Sequence, residues 1–169
     1  MSIKKKKSLV VLQGVFAESF FDELQNRNIK EVFILEGRPK LEPAIASSQA
    51  LLKRKISPTL ISDNMAGFLF YKNWVKEVWL AYQLAGHNGA LCDIGALILG
   101  VLGKNHRIPV LLYPAGRKTP FLGKDDDLMY FKNIRIAPKG IKGYVPLVEW
   151  LPKQYITKIY RHGKHSPKN

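Results

Sequence analysis

The stretch "SLVVLQGVFAESFFDELQNRNIKEVFILEG", residues 8–37, indicates the fold class of this chain. Its first part is a short apolar run, which predicts a strand over residues 8–13. Apolar residues at helical spacing follow, and they predict a helix over residues 15–28. A second apolar run predicts a strand over residues 31–37. A strand, a helix and a strand in about thirty residues form a βαβ unit, whose two strands run parallel.

The same alternation continues as far as residue 114. The pattern predicts helices over residues 42–55, 64–74 and 90–105, and strands over residues 57–63, 76–82 and 108–114. The strands are apolar on both faces, which is typical of a parallel sheet covered on both sides. We therefore predict an α/β fold of the Rossmann-like, doubly wound class, with a mostly parallel sheet and helices on both faces.

The pattern changes after residue 114. A polar connection over residues 115–132 is followed by a predicted strand over residues 133–138, and the segment 145–163 is predicted to end in a helix with Pro152 in its first turn. We expect residues 1–169 to form one Rossmann-like domain. Its basic N-terminal tail would span residues 1–7, and residues 164–169 would form a frayed C-terminal tail.

The chain is basic, with a formal net charge of +14 from 27 Lys and Arg against 13 Asp and Glu. The excess is concentrated in residues 100–169, which hold 14 basic and 4 acidic residues. A basic half favours a nucleic acid, an acidic protein surface or a phosphorylated small molecule as partner. The cations do not alternate with aromatic residues along the sequence, so RNA binding is the weaker alternative.

Several classes of protein are disfavoured by what the sequence lacks. No apolar run reaches the length of a membrane span, so we expect no membrane association. A single cysteine excludes an internal disulfide, which fits a cytoplasmic protein. The segment "QGVFAESF" (13–20) lacks a dinucleotide fingerprint, and "AGHNG" (85–89) is not a P-loop. The histidines show no zinc-ligand spacing, so we expect neither a cofactor nor a metal.

Polar residues stand where several predicted strands end. They are Arg38 in "EGRP", Asp63 in "SDNM", and Gln83, Asn88 and Asp93 in the stretch after the fourth strand. In open parallel sheets this edge binds ligands, so we expect these side chains to line one cleft. Arg38 would be available there for a phosphate or a carboxylate. The alternative for Asp63 is an ordinary helix cap.

Four segments in order resemble a known superfamily: "EGRPKLEPAIASSQAL", "PTLISDNMAG", "VWLAYQLAGHNGALCDIGALILGVLGKNHRIPVLL" and "RIAPKGIKGYVPLVEWLPKQYIT". They resemble the C-terminal Rossmann-like half of methylthioribose-1-phosphate isomerase, ribose-1,5-bisphosphate isomerase and the alpha, beta and delta subunits of translation initiation factor 2B. The resemblance implies association through this half, as a homodimer or a hetero-oligomer. The helical N-terminal domain of those proteins has no counterpart in this sequence.

The positions that carry isomerase chemistry in the resembled proteins hold different residues here. The catalytic aspartate falls on Gln83, and an Asn-Lys pair that binds substrate falls on Cys92 and Asp93. The glutamine after the E-T-R-P segment falls on Glu42, and "VVLQGVF" lacks the family's cysteine. Gln83 cannot titrate, and Asp93 would repel a phosphorylated sugar. Cys92, in an apolar predicted helix, is expected to be a small buried hydrophobe.

These observations favour an initiation-factor-2B-like domain that is inactive as an isomerase and acts through protein association or regulation. No catalytic residue is assigned. One alternative is a sugar-phosphate or nucleotide binding protein, or an enzyme of altered chemistry; another is a basic RNA-binding module. The ligand-binding candidates for the cleft are Arg38, Glu42, Asp63, Gln83, Asn88, Cys92 and Asp93.

Overall fold

The computed structural model describes residues 9–131 and 133–161. Its strands are β1 (Leu9–Gln13), β2 (Glu31–Leu35), β3 (Ser57–Ile61), β4 (Val75–Gly86), β5 (Gly89–Asp93), β6 (Val110–Pro114), β7 (Tyr130–Phe131), β8 (Ile134–Arg135), β9 (Val148–Pro152) and β10 (Lys158–Ile159). Its α-helices are α1 (Glu18–Asn26), α2 (Ser48–Lys53), α3 (Ala66–Tyr71), α4 (Ala96–His106) and α5 (Asp125–Met129). A π-helical turn (Pro43–Ser47) precedes α2, and 3-10 turns lie at Asp63–Met65 and Lys153–Tyr155.

Most of these strands belong to one large sheet. In the described ranges its main path runs β10-β6-β4-β1-β2-β3, and every neighbouring pair on that path is parallel. At the centre, Val11 of β1 lies between Phe33 of β2 and Val78 of β4. The sheet is extended by β5, which pairs antiparallel with the distal part of β4 and with β9. The mostly parallel α/β sheet predicted from the sequence is therefore confirmed.

Two hydrophobic cores lie on opposite faces of the sheet. One is closed by α1 and α2, through side chains such as Phe20, Leu24 and Leu51. The other is closed by α3 and α4, through Leu69 and Leu99. Burying one such side chain contributes about 1.5–3 kcal/mol, so both layers are needed for stability. Helices on both faces, as predicted, leave the carboxyl ends of the strands as the polar edge of the domain.

The helix predicted over residues 90–105 is wrong in its first turn. Residues 89–93 form β5, because their backbone pairs with β4 on one side and with β9 on the other. The helix α4 begins only after Gly95, whose φ of 97° is left-handed. That conformation is typical of glycine and separates the strand from the helix. Cys92 and Asp93 therefore lie on a strand and point to opposite faces of the sheet.

The last predicted helix, at the end of the segment 145–163, is also wrong. That helix was predicted to begin near Pro152, but the described residues after Pro152 form a 3-10 turn and β10, which pairs with β6, and β9 before them pairs with β5. The strand predicted over residues 133–138 shrinks to β8, which pairs only with β7 in the described chain. The predicted tails at residues 1–7 and 164–169 lie outside the described residues. Within residues 9–131 and 133–161, no helix combines the length and apolar character of a membrane-spanning segment.

Candidate functional site

A narrow cleft lies at the carboxyl ends of the strands. The loop after β2, the end of β5 and the segment after β6 form its walls, and β1 contributes its last residue. The polar residues that line it are Gln13, Arg38, Lys40, Glu42, Asp93, Arg117 and Thr119. The enclosed space is about 30 Å³, which holds about two water molecules. The expectation of a cleft at the carboxyl ends of the parallel strands therefore led to a cleft, but a small one.

Gln83 and Asp93 meet at Thr119. The Thr119 backbone N–H donates to Gln83 Oε1 at 2.7 Å, and the Thr119 hydroxyl donates to Asp93 Oδ1 at 2.9 Å. The antiparallel register of β4 and β5 shifts between Tyr82 and Leu84, which takes Gln83 out of the ladder. Its Nε2 is buried and has no hydrogen-bond partner within the described part of the chain. An amide and a carboxyl from adjacent strands are thus linked through one threonine.

The carboxyl of Asp93 is the most electrostatically perturbed acid of the cleft. Burial raises its pKa above the usual range, and the neighbouring Glu42 adds to the increase. The Thr119 hydrogen bond and the nearby Arg117 guanidinium work in the opposite direction without cancelling the effect of burial. A carboxyl with a raised pKa in a cleft is a group that can exchange a proton nearer to neutral pH.

Internal contacts engage the cations of the cleft. Arg117 forms an ion pair with Glu42, and Lys40 Nζ lies 2.6 Å from Asp127 Oδ2. The Arg38 guanidinium lies over the Phe131 ring, 4.9 Å from its centroid. The contacts of Lys40 and Arg38 attach α5 and β7 to the rim. Arg117 Nε, however, is buried and finds no acceptor among the described residues.

Asp63 does not line the cleft but holds the loop after β2, which forms one of its walls. Its two carboxylate oxygens accept the backbone N–H groups of Gly37 (2.9 Å) and Arg38 (2.7 Å). This clamp fixes the loop that carries Arg38, and no side-chain cap bond forms at the adjacent 3-10 turn. Asp63 is therefore a positioning residue of the loop, and the simple helix-cap alternative does not describe its contacts.

Of the seven candidate residues, only Arg38, Glu42 and Asp93 line the cleft, and Asn88 and Cys92 lie away from it. Asn88 is exposed in the turn between β4 and β5, where its carbonyl accepts the Lys153 N–H at 2.9 Å. Cys92 is fully buried in the core beneath α4. Burial, with smaller contributions from Asp93 and Glu149, raises the pKa of its thiol far above the usual value. The expectation of a small buried hydrophobe is confirmed for Cys92, although on a strand rather than a helix.

Sequence reasoning missed Gln13, Arg117, Thr119 and Glu149. The first three follow or end strands β1 and β6, so the rule that identified Arg38 would also have found them. Gln13 Nε2 donates to the Ile94 carbonyl at 2.7 Å and closes the floor of the cleft. Glu149 had no such signal, because its strand, β9, was not predicted from the sequence.

Glu149 occupies the N-terminus of α4. Its Oε1 accepts the backbone N–H groups of Gly95 (2.7 Å) and Leu97 (2.9 Å). Free N–H groups at a helix N-terminus are a common binding site for phosphate. In this chain an internal carboxylate already fills that position, which leaves no such site at α4.

An apolar hollow adjoins the cleft on the other side of Gln13. It lies between α3 and α4 and measures about 520 Å³. Leu35, Ala66, Leu99 and Leu102 contribute to its lining. Beside it, Ile98 of α4 is 65% exposed. This hollow is larger and less polar than the cleft.

Comparison with known families matches residues 5–160 to the Initiation factor 2 subunit family. Methylthioribose-1-phosphate isomerase from Thermus thermophilus is 29% identical over 143 residues, which cover 78% of this chain and 43% of the relative. The same enzyme from Geobacter sp. is 33% identical over 140 residues, with 76% and 40% coverage. The chain thus spans less than half the length of these relatives.

Two solved structures share the fold. The delta subunit of translation initiation factor eIF-2B from A. fulgidus superposes with a TM-score of 0.75 at 20% identity, covering 91% of this chain and 52% of that one. The 5-methylthioribose 1-phosphate isomerase from Pyrococcus horikoshii gives a TM-score of 0.75 at 21% identity, with 91% and 50% coverage. The same scaffold therefore occurs in an initiation-factor subunit and in an isomerase.

Proposed function

Because this chain belongs to the Initiation factor 2 subunit family, we propose that it is a binding domain of that family without isomerase chemistry, acting through association with other polypeptides. The observation that carries the proposal is Gln83, at the position that the resemblance assigns to a catalytic aspartate. Aldose–ketose isomerisation moves a proton between adjacent carbons and needs a group that accepts and returns it. An amide does neither, and the Thr119 N–H already engages its oxygen.

The remaining reactive groups support the same proposal. Cys92 is inaccessible in the core, with the pKa of its thiol raised by burial. Asp93 is the residue on which the proposal can fail, since its buried carboxyl has the raised pKa that proton transfer requires. In this cleft, however, no thiol is present among the described lining residues, and the other acid, Glu42, forms an ion pair with Arg117.

The size of the cleft also argues against a sugar phosphate as its natural ligand. Small-molecule sites usually offer about 300–1,000 Å³, whereas this cleft encloses about 30 Å³. The N-terminus of α4 is occupied by Glu149, so the phosphate would lack the usual backbone donors. Opening the cleft would require the loss of the Lys40–Asp127 ion pair at its rim.

The apolar hollow between α3 and α4 is the surface that we propose for association, as a homodimer or within a hetero-oligomer. Exposed Ile98 lines it together with Leu99 and Leu102, and exposed apolar surface of this kind is typical of interaction sites. The family takes its name from subunits, which favours the same use. A role in translation initiation is not part of the proposal, because kinship of fold does not determine function.

The association is tested by sedimentation velocity of the full chain and two matched variants. Ile98→Glu places a charge beside the hollow, and Leu52→Glu places the same charge on α2, on the other face of the sheet. The two side chains are similarly exposed, 65% and 61%. We expect the wild type and Leu52→Glu to sediment as the same oligomer and Ile98→Glu as a monomer. If Ile98→Glu leaves the oligomer intact, the proposed surface is wrong, and a monomeric wild type excludes the homodimer.

Binding of a compact anion is the second candidate function, favoured by the unpaired Arg117 Nε. A buried guanidinium N–H without an acceptor is costly, and a phosphate or carboxylate oxygen would satisfy it. A bound anion raises the melting temperature in proportion to its occupancy. Inorganic phosphate should therefore stabilise the wild type more than Arg117→Gln. Equal shifts in both proteins would exclude this candidate.

A further inference from the structure

The segment around β7 and β8 exposes an unusual number of large apolar side chains. We name it the hairpin surface. Ile134 is 66% exposed and Tyr144 is 78% exposed. The residues that form it are Tyr130, Phe131, Ile134, Arg135, Ile136, Lys139, Ile141, Lys142 and Tyr144. Single exposed apolar residues are ordinary, whereas a contiguous group of them marks an interaction site.

The charge of this segment is of one sign. Residues 130–144 contain four basic residues and no Asp or Glu. Arg135, Lys139 and Lys142 are exposed there, between the exposed isoleucines. A partner that covers the apolar side chains must therefore bring carboxylates to meet these cations.

From this pattern we infer that the hairpin surface docks an acidic polypeptide segment whose carboxylates alternate with apolar residues. The inference rests on the proposed function, since it names the chemistry of a partner for an association domain. Ile134, Arg135 and Ile136 alternate apolar and basic side chains across β8 and the residue after it. An extended partner with the same period of two presents an apolar row and an acidic row at matching intervals.

Single-stranded nucleic acid fits the same surface less well. Base stacking needs an open aromatic face. The guanidinium of Arg38 lies over Phe131 and that of Arg135 lies 5.9 Å from the centroid of Tyr130, so two of the three rings have one face covered, and only Tyr144 is fully open. Isoleucines supply much of the remaining apolar area and cannot stack on bases. Cations and aromatic rings that do not alternate in the sequence thus contact each other in space. These contacts reduce the ring surface that is open to base stacking.

The acids of α5 limit where the partner can lie. Asp127 is engaged by Lys40 and by the Lys124 backbone N–H. Asp125 and Asp126 are exposed at the α5 side of the hairpin surface. An acidic partner is repelled there, and because the Gly143 N–H lies 3.4 Å from Asp125 Oδ2, its path runs along β8 and ends before Tyr144.

The test uses the full chain and fluorescence anisotropy with three labelled probes. They are a short peptide of alternating Glu and Leu, a polyglutamate peptide of equal charge, and an oligouridylate. We expect the alternating peptide to bind at least about tenfold tighter than the other two. Ile136→Glu should weaken that binding by about tenfold or more, and the distant Leu52→Glu should not change it.

A second variant, Lys142→Glu, should also weaken binding of the alternating peptide and can replace Ile136→Glu if that variant misfolds. Circular dichroism checks the folding of both variants. Equal affinity for polyglutamate would mean that charge alone acts, and tighter binding of oligouridylate would favour nucleic acid. Either result overturns the inference, as does the absence of peptide binding. The oligomeric state of Ile98→Glu is a separate readout, so failure here is distinguishable from failure of the proposed function.

Discussion

Glu149 offers the clearest test of why α4 lacks a phosphate site. Its carboxylate accepts two backbone N–H groups of the first turn, at 2.7 and 2.9 Å. Loss of a helix N-cap costs about 0.5–2 kcal/mol, and loss of a negative charge at that terminus costs about 0.3–1 kcal/mol more. The side chain is half-buried, so neither contribution is fully screened. We expect Glu149→Ala to lower the free energy of unfolding by about 2 kcal/mol.

The assay is urea unfolding at neutral pH, followed by circular dichroism, with Glu149→Gln as the matched control. The amide keeps an oxygen acceptor and loses only the charge, so its cost should stay near 0.3–1 kcal/mol, on the order expected for a helix dipole. Sulfate should stabilise Glu149→Ala more than the wild type, because removing the carboxylate opens the helix N-terminus to an anion. If both variants lose the same stability, or sulfate stabilises the wild type equally, the reasoning fails.

Three further outcomes are expected. Glu77→Gln breaks a buried pair with Arg27 and should cost about 2–3 kcal/mol in urea. Burial pushes the pKa of Glu77 upward, but the Arg27 and Trp79 hydrogen bonds outweigh it and hold that pKa below the usual value of a glutamate. The wild type should therefore lose this stability as the pH falls through that lowered pKa, and the variant should not. Cys92 should react with iodoacetamide at least about a hundredfold faster in urea than in the folded protein. Comparable rates under the two conditions would mean that the thiol is accessible in the fold. Because the pKa of Asp93 is raised by burial, Asp93→Asn should stabilise the fold at neutral pH, with the gain vanishing at acid pH; urea titrations that show a loss at neutral pH would contradict this.

The parallel core of this fold could be predicted because its strands carry a local signal. Short apolar runs between amphipathic segments specify buried strands and covering helices wherever the packing is regular. The β5 and β9 strands lack that signal, since each is held by a partner distant in sequence. Val148 to Pro152 pairs with residues near position 90, and nothing in the segment itself distinguishes that strand from a short helix.

The same error changed the interpretation of the site. A helical assignment places Cys92 and Asp93 on one turn, whereas a strand sends the thiol into the core and the carboxyl into the cleft. Arg38 was found because it follows a strand end in the parallel part of the sheet, whereas Glu42 was named through the family resemblance and Asp93 lies at the end of the antiparallel strand β5. The hydrogen bonds from Thr119 to Gln83 and Asp93 could not be predicted, because they depend on the path of the loop after β6.

The most direct test of the central claim is a single-turnover assay with methylthioribose 1-phosphate. The full chain, in excess over this sugar phosphate, is followed by ³¹P nuclear magnetic resonance, with Asp93→Asn in parallel. The claim predicts that the phosphate resonance stays unchanged in both proteins. Conversion by the wild type that disappears in Asp93→Asn would contradict it. Such a result would show that Asp93 on β5 supplies the catalytic acid in place of the residue at position 83 on β4.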